Sequence, residues 1–390
     1  MSTSRQVVDD LLRKRKAERV ALMDSPWADS IMEWVQQGYP TEMVAKELGD
    51  KYWDPKDGRW YDVVKPGNYL EPVSTWKHFH YDMVGAAGWF EWVPLRGYDE
   101  LISETAEWDI RRNGAGAAFK YWKHKAGTPE HIDFTMSSRA VWEEKYRPHL
   151  IAFDPERVDL KAGRKGYRDT WDAGVWNHFG HMFIWEIMRQ SMGDITMYES
   201  LVLDPDWIND FNRVYTDMFK RYFTYLFEQV GVPNGIWLYE DLGYKNGLFA
   251  SPKVLAELVF PYYTEINAFF HSYDLPVVLH SCGSTAEAMP MIIKAGFDAI
   301  NPMERKAINN DPFVFAEKYG DRLAFVGGLD ARVLESNDRE IIRKEVGDYI
   351  DGMKARGARL VFATDHSISP NTHYDSYQYA LEIYREHMMY

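Results

Sequence analysis

The sequence predicts an α/β protein, a (β/α)8 TIM barrel with an N-terminal extension and an antiparallel hairpin insertion. From about residue 174 onward, short β-rich apolar runs alternate with amphipathic stretches of helical period. No GxGxxG loop follows any of these runs, so a doubly wound sheet, the alternative architecture, lacks its phosphate-binding fingerprint. Ionisable and sulfur-bearing residues lie just beyond the carboxyl ends of the runs, where a parallel barrel builds its site.

The elements follow in order. The run "RVALMD" reads as the first strand, and "SIMEWVQQGYPTEMVAKELGD" as a helix behind it. Residues 98-122 carry β-like runs around "NGAG", a hairpin signal, and are expected to form an antiparallel insertion near the barrel mouth. Further strands are expected at "GVWNHFG", "GIWLYEDLG", "PVVLHSCG", "DAINPM", "LAFVGGLD" and "ARLVFATDH". The segments between them, such as "SPKVLAELVFPYYTEINAFFHSYD" and "DREIIRKEVGDYIDGMKARG", begin on Ser or Asp caps, and several of the intervening helices end in Gly. Repeated strand and helix with short connections means a parallel sheet. Without a low-complexity linker or an evident repeat, residues 1-390 are expected to form a single domain.

Bulk composition bounds the function. The chain has 390 residues, 46% of them hydrophobic and 15% aromatic, enough for a substantial core. A net charge of −14 argues against nucleic acid or an anionic membrane as the main partner, because both attract basic surfaces. No apolar run approaches a membrane span, and the N-terminus lacks the apolar stretch of a secretory signal, so a cytoplasmic protein is expected. The single cysteine, Cys282, cannot form an intrachain disulfide and is core filler, a ligand or a nucleophile.

The strand ends supply the candidates. "PVVLH" ends in His280, with Cys282 two positions on; "LVFAT" is followed by Asp365 and His366; "IWLY" by Glu240 and Asp241; "RVALM" by Asp24, close to Trp27. His280, Cys282 and His366 would give Zn²⁺ three N/S ligands and leave an open position, the pattern of a catalytic zinc. The plainer readings are a Cys282 that only fills space, and a Glu240 and Asp241 that only cap the following helix. Gly283, Gly327 and Gly328 mark tight strand exits.

The runs "VVLHSCGS", "GFDAINPME", "KYGDRLAFVGGLDARVL" and "GLFASPKVLAELVFPYY", with "RQVVDDLLRKRKAERVALMD" and "ATDHSISPNTHYDSYQYALEIYREH", resemble the uroporphyrinogen decarboxylase superfamily, built on a (β/α)8 barrel. True decarboxylases of that family hold an acidic tetrapyrrole with arginines just after the first strand, where this chain reads "MDSPWADSIMEW" without one. A polycarboxylate would leave its charges unpaired there. The resemblance therefore leans to the zinc methyltransferases that work with corrinoid proteins, whose His-x-Cys ligands fall on His280 and Cys282. Their third ligand, a Cys, falls at "ATDHSISP", where this chain has His366.

That resemblance implies Zn²⁺ and cobalamin, the latter on a partner corrinoid protein, with a small-molecule methyl donor or acceptor. It also makes a homodimer an expectation. Zinc in such a site either holds a thiol substrate as thiolate or acts as a Lewis acid on a methyl ether oxygen. The second role suits a site with one thiolate, and Trp27, Trp34, Trp76, Phe79, Trp89, Phe90 and Trp92 are available to line a pocket for an aromatic ring. Glu240 or Asp365 would be the fourth ligand or relay a proton, Asp241 is a further catalytic candidate, and Asp24, Trp27 and His178 are substrate-binding candidates. His181 is read as structural. The competing readings are a metal-free decarboxylase or lyase of a small acid using Asp24 or Asp241, and a binding module without catalysis. No DxHxxG loop is present to carry cobalamin on this chain itself.

Overall fold

The computed structural model describes residues 2–54, 59–123 and 127–390. Parallel strands at Ala21–Leu22 (β1), Met83–Ala87 (β2), Trp176–Met182 (β3), Gly235–Tyr239 (β4), Val277–His280 (β5), Ala299–Asn301 (β6), Ala324–Val326 (β7) and Leu360–Phe362 (β8) form an 8-stranded sheet in the order β1-β8-β7-β6-β5-β4-β3-β2. The ends of that order meet: Asp82 N donates to Leu22 O at 2.7 Å, and Leu22 N to the Asp82 carboxylate at 2.9 Å. Arg19 grips the same carboxylate with both Nη atoms at 2.7 Å. The sheet is thus a nearly closed (β/α)8 barrel, not a doubly wound sheet, and β5 lies across the ring from β1 as β4 does from β8.

Most barrel strands are apolar on both faces, as a sheet covered by helices requires. Ile236, Leu238, Leu279, Ile300 and Phe325 pack outward into the helical layer. Ala21, Met83, Trp176, Trp237, Val278, Ala299, Ala324 and Val361 point inward. Helix α1 (Ser4–Leu12) lays Val7, Val8, Leu11 and Leu12 on this inner cluster, and Thr3 caps its first turn. The N-terminal extension therefore plugs the barrel at the strands' amino ends, and the open mouth is at the other end.

The connections after β1 and β2 carry the additions. A helix spans Ala28–Gln36, but the expected helical stretch does not continue to residue 50. The chain turns at Gly38, φ +99°, and passes Pro40, and Thr41–Lys46 pairs as a strand with Gly67–Pro72. A left-handed glycine and a proline two residues on end the helix regardless of the apolar pattern beyond. The hairpin at "NGAG" is present, with Asn113 Oδ1 accepting from Ala115 N and Ala117 N at 2.9 and 3.2 Å. It belongs to a larger 4-stranded antiparallel sheet of Asp99–Glu104, Trp108–Asn113, Ala117–Trp122 and Glu130–Phe134. Among the described residues no helix is long and apolar enough to cross a membrane.

Candidate metal centre and cavity

Because side chains alternate along a strand, Trp237, Tyr239 and Asp241 at the end of β4 face the mouth while Glu240 faces out. The same alternation turns His280 and Cys282 inward after β5 and leaves Ser281 to accept a bond from Leu242 N at 3.0 Å. The two strand exits are joined directly. Cys282 N donates to Asp241 Oδ1 at 2.8 Å, and Glu240 N donates to His280 O at 2.8 Å. Gly283, φ +73°, brings its backbone so close to Gly243 that a Cβ would lie 2.4 Å from the Gly243 carbonyl, so only glycine fits there.

Asp241, His280 and Cys282 thereby present one ligand atom each, all within 4.8 Å of one another. Cys282 Sγ lies 3.5 Å from His280 Nε2, which is 3.7 Å from Asp241 Oδ1. Tetrahedral zinc with ordinary Zn–S and Zn–N bonds separates its sulfur and nitrogen ligands by about 3.5 Å, so the spacing and the O/N/S donor set fit that ion. The histidine is also held for the task. Asn301 Nδ2 donates to Val326 O at 3.0 Å, which turns Asn301 Oδ1 to His280 Nδ1 at 2.6 Å. Nδ1 must then carry the proton, and Nε2 offers its lone pair to the cluster. Burial pushes the Cys282 thiol well above its usual range, and the carboxylates of Asp241, Glu304 and Glu186 push it further. Such a thiol ionises only with a compensating cation beside it.

The triad opens on a cavity of about 590 Å³ at the barrel mouth. Asp24 and Trp27, after β1, and Thr364 and His366, after β8, form its opposite wall, with Thr75 and Trp76 beside them. His366 is exposed, packs on Trp27 with ring centroids 6.1 Å apart, and lies outside the Asp241–His280–Cys282 group. Asp24 Oδ1 accepts from Thr364 Oγ1 at 2.7 Å and from Ser25 N at 3.0 Å, the Thr364 backbone also supports the carboxylate, and Oδ2 accepts a long bond, 3.5 Å, from the Tyr377 hydroxyl. Burial pushes the Asp24 carboxyl up to about 6. On the floor, His178 stacks on Trp237 with ring centroids 5.0 Å apart, and its buried Nδ1 has no partner. Burial lowers its pKa to about 3, so the ring is neutral.

Two of the catalytic candidates point elsewhere. Glu240 accepts from Phe183 N and Trp185 N at 2.8 Å, from Glu186 N at 3.2 Å and from the Tyr263 hydroxyl. It caps the start of the helix Ile184–Leu203, which precedes it in the chain. Asp365 accepts from Arg305 N and Ala331 N, both at 2.9 Å, and caps the helix Ala331–Glu335. Of the aromatic set, Trp27 and Trp76 line the cavity; Trp34, Phe79, Phe90 and Trp92 are buried in the core, and Trp89 is exposed, stacked on His181. His181 is buried against the carbonyls of Met182 and Phe90. Asn301's hold on His280, and Tyr81, Trp237 and Tyr239 in the cavity wall, are not picked out from the sequence.

The sequence model of the uroporphyrinogen decarboxylase (URO-D) family matches residues 187–387, and the chain belongs to that family. Among solved structures, a methyltransferase from Methanosarcina mazei superposes with a TM-score of 0.68 at 13% identity, covering 99% of both chains. That likeness is one of fold. A Xaa-Pro dipeptidase with bound methionine covers 56% of each chain at 15% identity, but its TM-score of 0.27 carries no argument. No curated protein matches the chain.

Proposed function

We propose that this URO-D family protein is a zinc-dependent methyltransferase, moving a methyl group between a small methylated substrate, best an aromatic methyl ether, and a corrinoid presented by a partner protein. The observation that carries the reading is the Asp241–His280–Cys282 triad at one wall of an aromatic-lined cavity. Asp241 takes the third ligand place in this reading, and His366 serves the opposite wall. When bound, the dication supplies charge compensation for the thiolate and Lewis acidity toward the ether oxygen.

The chain's own residues do the rest. Asn301 fixes the His280 tautomer, and Asp241 ties the Cys282 backbone in place through the Cys282 N–H. Trp27, Trp76 and Tyr239 offer flat apolar surface, and neutral His178 lies beneath. A reduced corrinoid presented at the mouth would supply the electron pair for the new bond to the methyl group, and the ether oxygen, which would keep the pair of the bond it loses, would then need a proton. A decarboxylase is less well supported, because none of the described residues lining the cavity is Lys or Arg to hold a carboxylate.

Elemental analysis of the wild type beside Cys282→Ala and Asp241→Ala, with methyl transfer from methoxylated aromatics to cob(I)alamin read by absorbance, tests the proposal. About one zinc per chain, lost in both variants together with transfer, is the expected result. A metal-free wild type, or transfer that survives Cys282→Ala, would overturn it.

A further inference from the structure

We propose that the Asp24 wall of the cavity selects the substrate: it takes a hydrogen-bond donor at the end of the molecule away from the methyl group, so the preferred substrates are phenolic methyl ethers and carboxylated ones are rejected. The inference rests on the methyl-transfer reading and goes beyond it in naming the substrate's second functional group.

Topology sets the geometry. Asp24 follows β1 and the His280–Cys282 pair follows β5, and the strand order places those strands on opposite sides of the ring. A molecule that touches both walls must carry its two polar groups at opposite ends. The walls themselves offer surfaces for a flat ring, Trp27 and Trp76 on the Asp24 side and Tyr239 beside Asp241.

The chemistry of the wall sets the group. Asp24 Oδ1 is committed to Thr364 Oγ1 and Ser25 N, and the Thr364 backbone also supports the carboxylate, whereas the hydrogen bond at Oδ2, from Tyr377, is a long one of 3.5 Å. Tyr377 is itself bonded to the Tyr81 hydroxyl at 2.8 Å. Asp24 lines the cavity, and a carboxylate there with a weakly used oxygen calls for a donor from the ligand; a phenol hydroxyl supplies one without adding charge. No Lys or Arg is among the described residues lining the cavity, so an anionic group there would meet like charge and no counter-ion. Asp24 titrates near 6, so at about pH 8 the wall is anionic, while a phenol with a pKa near 10 is still a donor.

Three probes that differ only at the position para to the methoxy group separate these effects: 4-methoxyphenol, 1,4-dimethoxybenzene and 4-methoxybenzoate. Their binding to the full-length, zinc-supplied protein at about pH 8 is measured by calorimetry, which needs no turnover. The expected order is 4-methoxyphenol tighter than 1,4-dimethoxybenzene by about 10-fold or more, with 4-methoxybenzoate weakest. Asp24→Asn should shrink the phenol preference to under about threefold and strengthen 4-methoxybenzoate; a thermal midpoint near that of the wild type establishes that the variant is folded. Equal binding of the three probes by the wild type, a preference for the benzoate, or no binding of any would overturn the inference; turnover of 4-methoxybenzoate in such a case would still uphold methyl transfer. Conversely, the expected order without methyl transfer to cob(I)alamin upholds the wall's selectivity and overturns the methyl-transfer reading.

Discussion

At the scale of single residues, Asn301 does what the ligands cannot do for themselves. Its amide is oriented by Val326 O, so the His280 ring is held in one tautomer before any ion arrives. Asn301→Ala frees the ring to rotate and to change tautomer. Zinc affinity, measured by competition with a chromogenic chelator, is expected to fall about 10- to 100-fold. His366→Ala, across the barrel, should leave that affinity within about threefold, because the imidazole is outside the ligand group. Asp24 makes a prediction of opposite kind, in pH. Its carboxyl is raised to about 6, so protonation below that value removes the anionic acceptor, and 4-methoxyphenol should bind more weakly as pH falls through 6. The ligand favours the ionised form, so the apparent midpoint should lie lower in the complex than in the free protein. Calorimetric titrations between about pH 5 and pH 8 read both; a flat profile would show that Asp24 does not meet the ligand.

At the scale of elements, the strand ends explain which candidates reach the cavity. Glu240 and Asp241 are neighbours with similar chemistry, yet one caps a helix and the other joins the triad, because adjacent residues on a strand face opposite ways. Removing Glu240 strands the amide protons of Phe183, Trp185 and Glu186 in the core. Glu240→Ala should therefore cost about 3 kcal/mol or more in chemical denaturation, at 1–3 kcal/mol for each unsatisfied buried group, while zinc content per folded chain stays unchanged. The alternation was legible in the sequence: His280 and Cys282, two apart, share a face, and in "WLYED" the same period separates Asp241 from Glu240. It would not have served at β8. Val361 and Ala363 point inward, but Thr364 lines the cavity as well, so the facing shifts by one residue and Asp365 turns out. Where a strand dissolves into an exit loop, period two no longer holds. The strand Met83–Ala87 was illegible for another reason. "MVGAA" has one β-branched residue and two alanines beside a glycine, and only its pairing with Trp176–Phe179 makes it a strand.

At the scale of the whole molecule, the position of the triad decides how metal and folding are coupled. Its residues come from the exits of β4 and β5, which are already joined by strand pairing and by the Glu240 N to His280 O and Cys282 N to Asp241 Oδ1 bonds. An ion there joins nothing that the barrel has not already brought together. The core beneath it is extensive, and α1 closes the far end without reference to the mouth. This differs from small zinc domains, in which the ion substitutes for a missing core. The protein should therefore stay folded in chelator, with an unchanged far-ultraviolet circular dichroism spectrum. Zinc should add only the linkage term, about 2.7 kcal/mol at a free concentration 100 times the dissociation constant. Spread over the unfolding entropy of a chain this long, at roughly 2.1 cal/mol/K per residue, that is a rise of about 3 °C in thermal midpoint. Cys282→Ala should abolish the rise without lowering the midpoint of the metal-free protein by more than a core cavity of one sulfur would. Calorimetric scans of both proteins, with and without zinc, check the pair of statements. Collapse of the wild type in chelator would mean that the ion holds the barrel together, and the ligands would then have to include residues from beyond β4 and β5.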